Sequence, residues 1–529
     1  MRRAIAPIKT TMVRYPLGIQ EFDTLREEGY LYVDKTDYIR RLLEGVKYYF
    51  LSRPRRFGKS LFISTLQQFF LGNRNLFSGL AIDSWSDWAW DRYPIIRINL
   101  SEGSYNREDG LSRRLNEALD RIALEYGMDA IGVDPREKFS NLIFSLHGKF
   151  GRQVVILIDE YEKPLLDVID KSYFERYREE LAAFYSVLKS NEAKIKLLFL
   201  TGVTKFGHLN IFSGLNNLTD ISLSEDFSAI CGVTQQELEA NFKEGIEKLA
   251  SKKGLDYRDA LLNLKKFYDG YHFSSDLIDT YNPYSLLNCL RESKFTDNWV
   301  QTGSSSFLLK KIRNIHFDLA ELNGLEVEAK RLLGIDASLL DPVTLFYQSG
   351  YLTIKDYDKD YEMYTLGLPN YEVEKALYSA IIPLYLGKSS EPYNAELRKF
   401  ARLMETGKAY EAMKWLKGYF ANIPYDVKLD YEAEFQQVVY AFFALVGLMT
   451  NSTLEKQTSD GRIDMIVEFK DYVYIFEFKL GTDAQKALEQ INAKNYALPW
   501  IEDRRKLIKI GVAFSPETRG IADFIIEEK

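Results

Sequence analysis

A chain of 529 residues with a formal net charge of −7 is too long for a single hydrophobic core, so two to four domains are expected. Its two cysteines, Cys231 and Cys289, exclude a disulfide framework and a cysteine zinc cluster, and four scattered histidines (His147, His208, His272, His316) make no ligand spacing. The negative total excludes a uniformly basic coat, while a local basic surface for nucleic acid stays open. No segment approaches the ~20 apolar residues that span a bilayer, so no membrane partner is expected. The N-terminal MRRAIAPIKTTMVRYP lacks the apolar stretch of a secretory signal, which makes the cytoplasm the expected location.

In chain order, residues 1–225 alternate apolar strands with amphipathic helices, the pattern of an α/β fold built on a parallel sheet. The predicted strands are Tyr48–Leu51, Pro94–Leu100, Gln153–Asp159 and Ile195–Gly202. They are continuously apolar, as strands covered by helices on both faces should be. Residues 226–395 read as a mostly helical lid and linker region, with GKSSEPYNAE (387–396) as the linker candidate, and residues 396–529 as a smaller α/β unit.

The first chemical signature is FLSRPRRFGKSLFISTLQQFF (50–70), which reads as strand, phosphate loop and helix. Such a loop works because backbone N–H groups and a helix N-terminus converge on phosphate while a lysine adds mobile positive charge. Arg53, Arg55, Arg56, Phe57, Gly58, Lys59, Ser60 and Leu61 are the candidate nucleotide contacts, with the Ser60 hydroxyl on Mg²⁺. Arg53 stands where the usual motif begins with glycine. VVILIDE (154–160) then ends an apolar strand in two acids: Asp159 suits the Mg²⁺ shell and Glu160 the attacking water. After the next strand, Thr201, Thr204 and Asn217 are alternative γ-phosphate sensors, among which the sequence does not choose.

GIQEFDTLREEGYLYVDKT (18–36), RPRRFGKS (53–60), LIDEYEKPL (157–165), TGVTKFGHLNIFSGLNNL (201–218), YDGYHF (268–273) and YNPYSLLN (281–288) together resemble bacterial AAA-ATPase-like proteins that carry a C-terminal PD-(D/E)XK nuclease domain. The resemblance covers nearly the whole chain. It implies a P-loop NTPase core, a helical lid and a restriction-endonuclease-like α/β tail, and Arg53 in place of glycine is usual for the group. Oligomerisation is implied by the resemblance alone. YDGYHF and YNPYSLLN carry no mechanism of their own, and His208 and His272 read as hydrogen-bonded structural residues.

The second signature is GRIDMIVEFKDYVYIFEFKL (461–480), a predicted hairpin. A two-residue turn at Lys470 and Asp471 sets Asp464 opposite Glu477, close enough to share a divalent ion, with Lys479 on the same face. Phe476, Phe478 and Leu480 are then expected on an apolar face and the acids on a polar one. Two carboxylates suit Mg²⁺ or Mn²⁺, Lys479 suits developing negative charge, and the Phe478 carbonyl is a third candidate ligand. With Glu434 on an upstream helix and Gln490 on a downstream one, the order matches the PD-(D/E)XK pattern residue by residue. The expectation is an ATP-binding and hydrolysing protein coupled to metal-dependent cleavage of nucleic acid, DNA in the first place. The other reading is a nucleotide-switched nucleic-acid-binding or signalling ATPase whose nuclease-like domain does not cut.

Overall fold

The structure, a computed structural model, describes residues 13–205, 211–212, 215, 217–299, 319–334, 341–386, 393–421, 432–450, 453–455, 465–481, 483–500, 502–515, 517 and 520–528. The chain forms two compact units, Met1–Asn298 with Glu326–Asn370, and Trp299–Leu325 with Tyr371–Lys529. It therefore passes from one unit to the other three times. The stretch 1–225 falls in the first unit, 396–529 falls in the second, and 226–395 is divided between them. Residues 387–392 of the expected linker lie outside the described residues.

The first unit is built on five parallel strands, β1 (Tyr48–Ser52), β2 (Ile95–Asn99), β3 (Val154–Asp159), β4 (Ile195–Gly202) and β5 (Thr219–Asp220), in the order β2-β3-β4-β1-β5. Helices α1 (Lys59–Phe70), α2 (Gly110–Glu125), α3 (Pro135–Phe150) and α4 (Phe174–Ser190) cover it. Phe62 of α1 packs on Phe199 of β4 at 5.6 Å. Tyr48, Ile156 and Leu198 join Phe139 of α3 and Phe184 of α4 in one buried cluster. Each such side chain contributes roughly 1.5–3 kcal/mol on burial, which explains why these strands contain almost no polar residue before their last position. The polar residues come where the chain leaves the sheet.

A helical segment follows: α5 (Lys243–Lys253), α6 (Tyr257–Tyr268) and α7 (Pro283–Glu292), with β6 (Val233–Thr234) paired to β7 (Thr280–Tyr281). Asn282 starts α7 by accepting from the N–H groups of Tyr284 (3.0 Å) and Ser285 (3.2 Å), with Pro283 in the first turn. Next come β8 (Leu325–Glu328), α8 (Pro342–Ser349), β9 (Thr353–Asp358) and β10 (Met363–Gly367), the strands ordered β8-β10-β9.

The second unit places α9 (Tyr371–Leu386), α10 (Tyr393–Glu405), α11 (Ala409–Ala421) and α12 (Glu432–Thr450) before β11 (Thr453–Glu455), β12 (Met465–Glu468) and β13 (Tyr472–Leu480). Helix α13 (Ala484–Ala493) then crosses from β13 to β14 (Lys506–Ser515), and β15 (Gly520–Glu528) ends the sheet, ordered β11-β12-β13-β14-β15. Only the β13–β14 pair is parallel, which is why a helix is needed to connect it. One face packs on α12 through Phe443 and Phe476, 4.9 Å apart. The other packs on α13, where Leu488 and Ile491 meet Ile466, Val473 and Ile475. Both faces of the hairpin are therefore covered, a departure from the single apolar face expected. The polar character belongs to the end of β13 instead of to one whole face. Leu480, expected on the apolar side, is 48% exposed because the strand has by then run past its cover. Among the described residues no helix is long and apolar enough to cross a membrane.

Candidate nucleotide and nuclease sites

The candidate nucleotide site begins with an uncapped helix. Gly58 immediately precedes α1 at φ 101°, a left-handed conformation that a side chain rarely adopts. No side chain caps α1, whereas Asp134 caps α3 and Asn282 caps α7. The first N–H groups of α1 are thus left for an anion. Lys59 is buried, and its ammonium donates to the carbonyls of Arg53 (2.8 Å) and Pro54 (3.1 Å), inside the loop it belongs to. Arg56 adopts φ 65°, strained for a non-glycine residue, and its guanidinium stacks on the Tyr284 ring of α7 at 3.8 Å. Ser60 is half-buried in the first turn of α1.

Arg53 has a different role from the phosphate contact expected. Its guanidinium is 1% exposed and donates to the carbonyls of Ser52 (2.9 Å), Ser222 (2.8 Å) and Phe227 (2.9 Å), over the Phe273 ring at 4.2 Å. It braces the segment after β5 beneath the loop, and only its carbonyl meets Lys59. Arg55 is half-buried. Phe57 is held edge-on by Tyr271 and Phe273, at 4.9 and 5.3 Å, which ties the loop to the YDGYHF motif.

The strand order brings the acids to the loop. β4 lies between β1 and β3, with Thr201 paired to Leu51 and Leu200 to Ile158. Asp159 is 1% exposed, and its Oδ1 accepts from the Thr201 hydroxyl at 2.6 Å. Its Oδ2 is buried with no hydrogen-bond partner among the described residues. An orphaned carboxylate oxygen beside a phosphate loop fits a divalent cation, because an unpaired buried anion is costly otherwise. Glu160 follows at φ 51°, another strained position. Of the three sensor candidates, only Thr201 touches this acid. Thr204 is engaged through its main chain, and Asn217 donates to Glu192 at 3.3 Å on the surface.

In the second unit, β12 and β13 pair Met465 with Phe476 and Glu468 with Val473, and Phe469 N–H donates to the Tyr472 carbonyl, closing the two-residue turn. Asp464, the next position of that register, lies outside the described residues, as do the side chains of 432–436, Glu434 included. Glu477 is 1% exposed, and its Oε1 accepts from Lys479 Nζ (2.9 Å) and from Gln490 Nε2 of α13. An exposed ladder of ion pairs does not describe this carboxylate. Phe478 turns its ring to the opposite face, stacked on Phe476 at 6.1 Å.

Comparison with known proteins agrees with both halves. Residues 16–212 match the family described as "Predicted AAA-ATPase", and residues 430–524 match the PD-(D/E)XK nuclease superfamily. An uncharacterised protein encoded in the vnfD 5′ region of Azotobacter chroococcum mcd 1 is 34% identical over 534 residues, spanning 97% of this chain and 99% of its own length. The chain belongs to the AAA-ATPase-like family with a PD-(D/E)XK domain.

Two further features of this AAA-ATPase-like chain escaped the sequence. An apolar cleft with about 90 Å³ of accessible space opens beside Gly58 and Leu61, lined by Leu31 and Val33 of the N-terminal motif, Ile230, and Leu287 of α7. Its walls come from three distant segments, so no local pattern betrays it. Glu162, the third acid of IDEYE, is buried and accepts from the N–H groups of Val203 (2.5 Å) and Thr204 (3.3 Å). Burial pushes its carboxyl up to about 7. Gly202 makes room for it, since a Cβ there would stand 2.3 Å from Glu162 Oε2. Three acids in four residues at a strand end was the available signal.

Proposed function

We propose that this protein binds and hydrolyses ATP in its first unit and cuts DNA in its second. The observation that carries the nucleotide half is the buried Asp159, held by Thr201 and open at Oδ2, beside an uncapped loop that already encloses Lys59. On binding, Lys59 exchanges two carbonyl partners for phosphate oxygens. The N–H groups at the start of α1 hold the remaining phosphate charge, with Arg55 and Arg56 at the rim, and the purine base enters the apolar cleft between Leu31, Val33 and Leu61. Asp159 and the Ser60 hydroxyl are the residues that would hold Mg²⁺. Thr201 keeps the Asp159 carboxylate aimed, and Glu160 orients the attacking water and receives its proton.

In the second unit, Glu477, Asp464 and the Phe478 carbonyl are the residues that would hold Mg²⁺ or Mn²⁺. The metal ion would polarise the scissile phosphate and acidify a bound water. Lys479 meets negative charge on the phosphate, Gln490 fixes the Glu477 carboxylate, and Glu434 completes the acidic set. Mg²⁺-dependent cleavage of linear and circular DNA, by wild type and Asp464→Ala, tests this half. Cleavage lost in Asp464→Ala supports it. Binding of DNA without cleavage by the wild type would instead favour a nucleotide-switched binding protein.

A further inference from the structure

The second unit holds another cleft, of about 430 Å³, formed by Tyr371 and Lys375 of α9, Arg398, Arg402 and Glu405 of α10, and Met449 of α12. It stands at the opposite end of the sheet from Glu477. Helix α12 runs on to β11, whose Thr453 pairs with Glu468, which in turn pairs with Val473 at the start of β13. Tyr474 on the same half of β13 donates to the Met404 carbonyl of α10 at 2.6 Å. Val473 and Glu477 are four residues apart on one strand, about 13 Å.

The cleft gathers positive charge from two helices. Leu397, Phe400, Ala401 and Met404 bury one side of α10, which leaves Arg398 and Arg402 together on the other. Four apart on a helix, they stand about 5–6 Å between Cβ atoms and repel one another by a few tenths of a kcal/mol. Neither guanidinium has a hydrogen-bond or ion-pair partner among the described residues. Arg505, Arg331 and Arg114, by contrast, are each paired with acids, Glu468 and Asp503, Asp341, and Glu102. Here two arginines and Lys375, brought in from a second helix, converge with Glu405 as the acid at the rim. Bidentate arginines separated by one helical turn suit successive phosphates of a single strand.

We propose that this cleft anchors the phosphodiester backbone of duplex DNA, with Arg398 and Arg402 on neighbouring phosphates and Lys375 on the facing wall, away from the cutting site. The proposal rests on the nucleic-acid reading of the second unit. Its test is fluorescence anisotropy of a labelled 20-base-pair DNA duplex with the full-length protein in EDTA, between 50 and 200 mM NaCl, so that binding is read without cleavage. Arg398→Ala/Arg402→Ala should weaken binding about tenfold and flatten the slope of log K against log salt by about 2, close to 0.9 for each lost phosphate contact. Arg398→Lys/Arg402→Lys should keep most of that slope, which a guanidinium needed only for folding would not. The exposed pair Lys248→Ala/Lys253→Ala on α5 should stay within twofold of wild type. An unchanged slope in the alanine variant, or a wild type that binds an RNA duplex but not DNA, overturns the proposal. Normal anchoring without any metal-dependent cleavage would overturn the nuclease reading and leave the anchor standing.

Discussion

The Thr201 hydroxyl donates to Asp159 Oδ1 across 2.6 Å, from β4 to its neighbour β3, and both groups are buried. That bond leaves the other carboxylate oxygen, Oδ2, buried and without a hydrogen-bond partner among the described residues. Thr201→Ala is expected to lower ATP turnover about 10–100-fold, the range seen when a partner of a metal-binding carboxylate is lost, with ATP affinity within threefold. Thr201→Ser should restore most of the rate. Steady-state phosphate release, split into kcat and KM, checks this.

The apolar cleft predicts a change of the opposite kind. Val33→Trp fills the space between Leu31 and Leu61. ATP affinity should fall about tenfold, close to 1.4 kcal/mol, while kcat at saturation stays within threefold. Competition by inorganic tripolyphosphate should be unaffected, because it needs the loop and not the cleft. Equilibrium binding of a fluorescent ATP analogue, with both competitors, measures the difference.

How much of this was legible in the sequence depends on range. The strand ends were legible because VVILID and, Lys196 aside, IKLLFLTG are apolar until Asp159 and Thr201, and the hairpin register because Lys470 and Asp471 leave room for only one tight turn. Arg53 was not legible: its partners Ser222 and Phe227 lie about 170 residues downstream, and a charge in a phosphate loop looks like a phosphate ligand. Choosing Thr201 over Thr204 also required a contact across 42 positions. The burial of Glu477 could have been suspected from Val473 and Ile475, which share its side of β13.

Gln490 donates to Glu477 Oε1, and the proposed function makes it a positioning residue for that carboxylate. Gln490→Ala should reduce metal-dependent cleavage roughly 10–100-fold, with the loss partly recovered at higher Mn²⁺ concentration, since the carboxylate is still present but no longer fixed. Lys479→Ala should show no such recovery. Titrating Mn²⁺ in a plasmid-nicking assay separates the two.

Asp269, in the YDGYHF motif, gives a pH-dependent prediction away from either metal site. It is almost fully buried, and its nearest cation is Lys265 Nζ at 3.6 Å. Burial raises its carboxyl from the ordinary 3.8 to about 6. A raised folded-state value means that the native chain holds a proton the unfolded chain has released. Its favourable contribution is therefore complete below about pH 4 and is lost as pH rises through 6. Asp269→Asn should stabilise the first unit at pH 8, by up to about 3 kcal/mol, and leave it unchanged at pH 4. Thermal melts at the two pH values read this directly. His272 next to it is held by the Ile354 carbonyl (2.7 Å) and Asp279 (2.9 Å), in keeping with a structural histidine, whereas His208 lies outside the described residues.

We further propose that nucleotide in the first unit governs DNA cleavage in the second, the coupling expected from the sequence. The most direct measurement is the initial rate of Mg²⁺-dependent cleavage of linear DNA across an ATP titration, for wild type, Lys59→Ala and Glu477→Gln. The predicted result is a rate that changes severalfold with ATP in wild type, stays flat in Lys59→Ala and is absent in Glu477→Gln. Cleavage by Glu477→Gln at the wild-type rate, or an identical ATP response in Lys59→Ala, would contradict it.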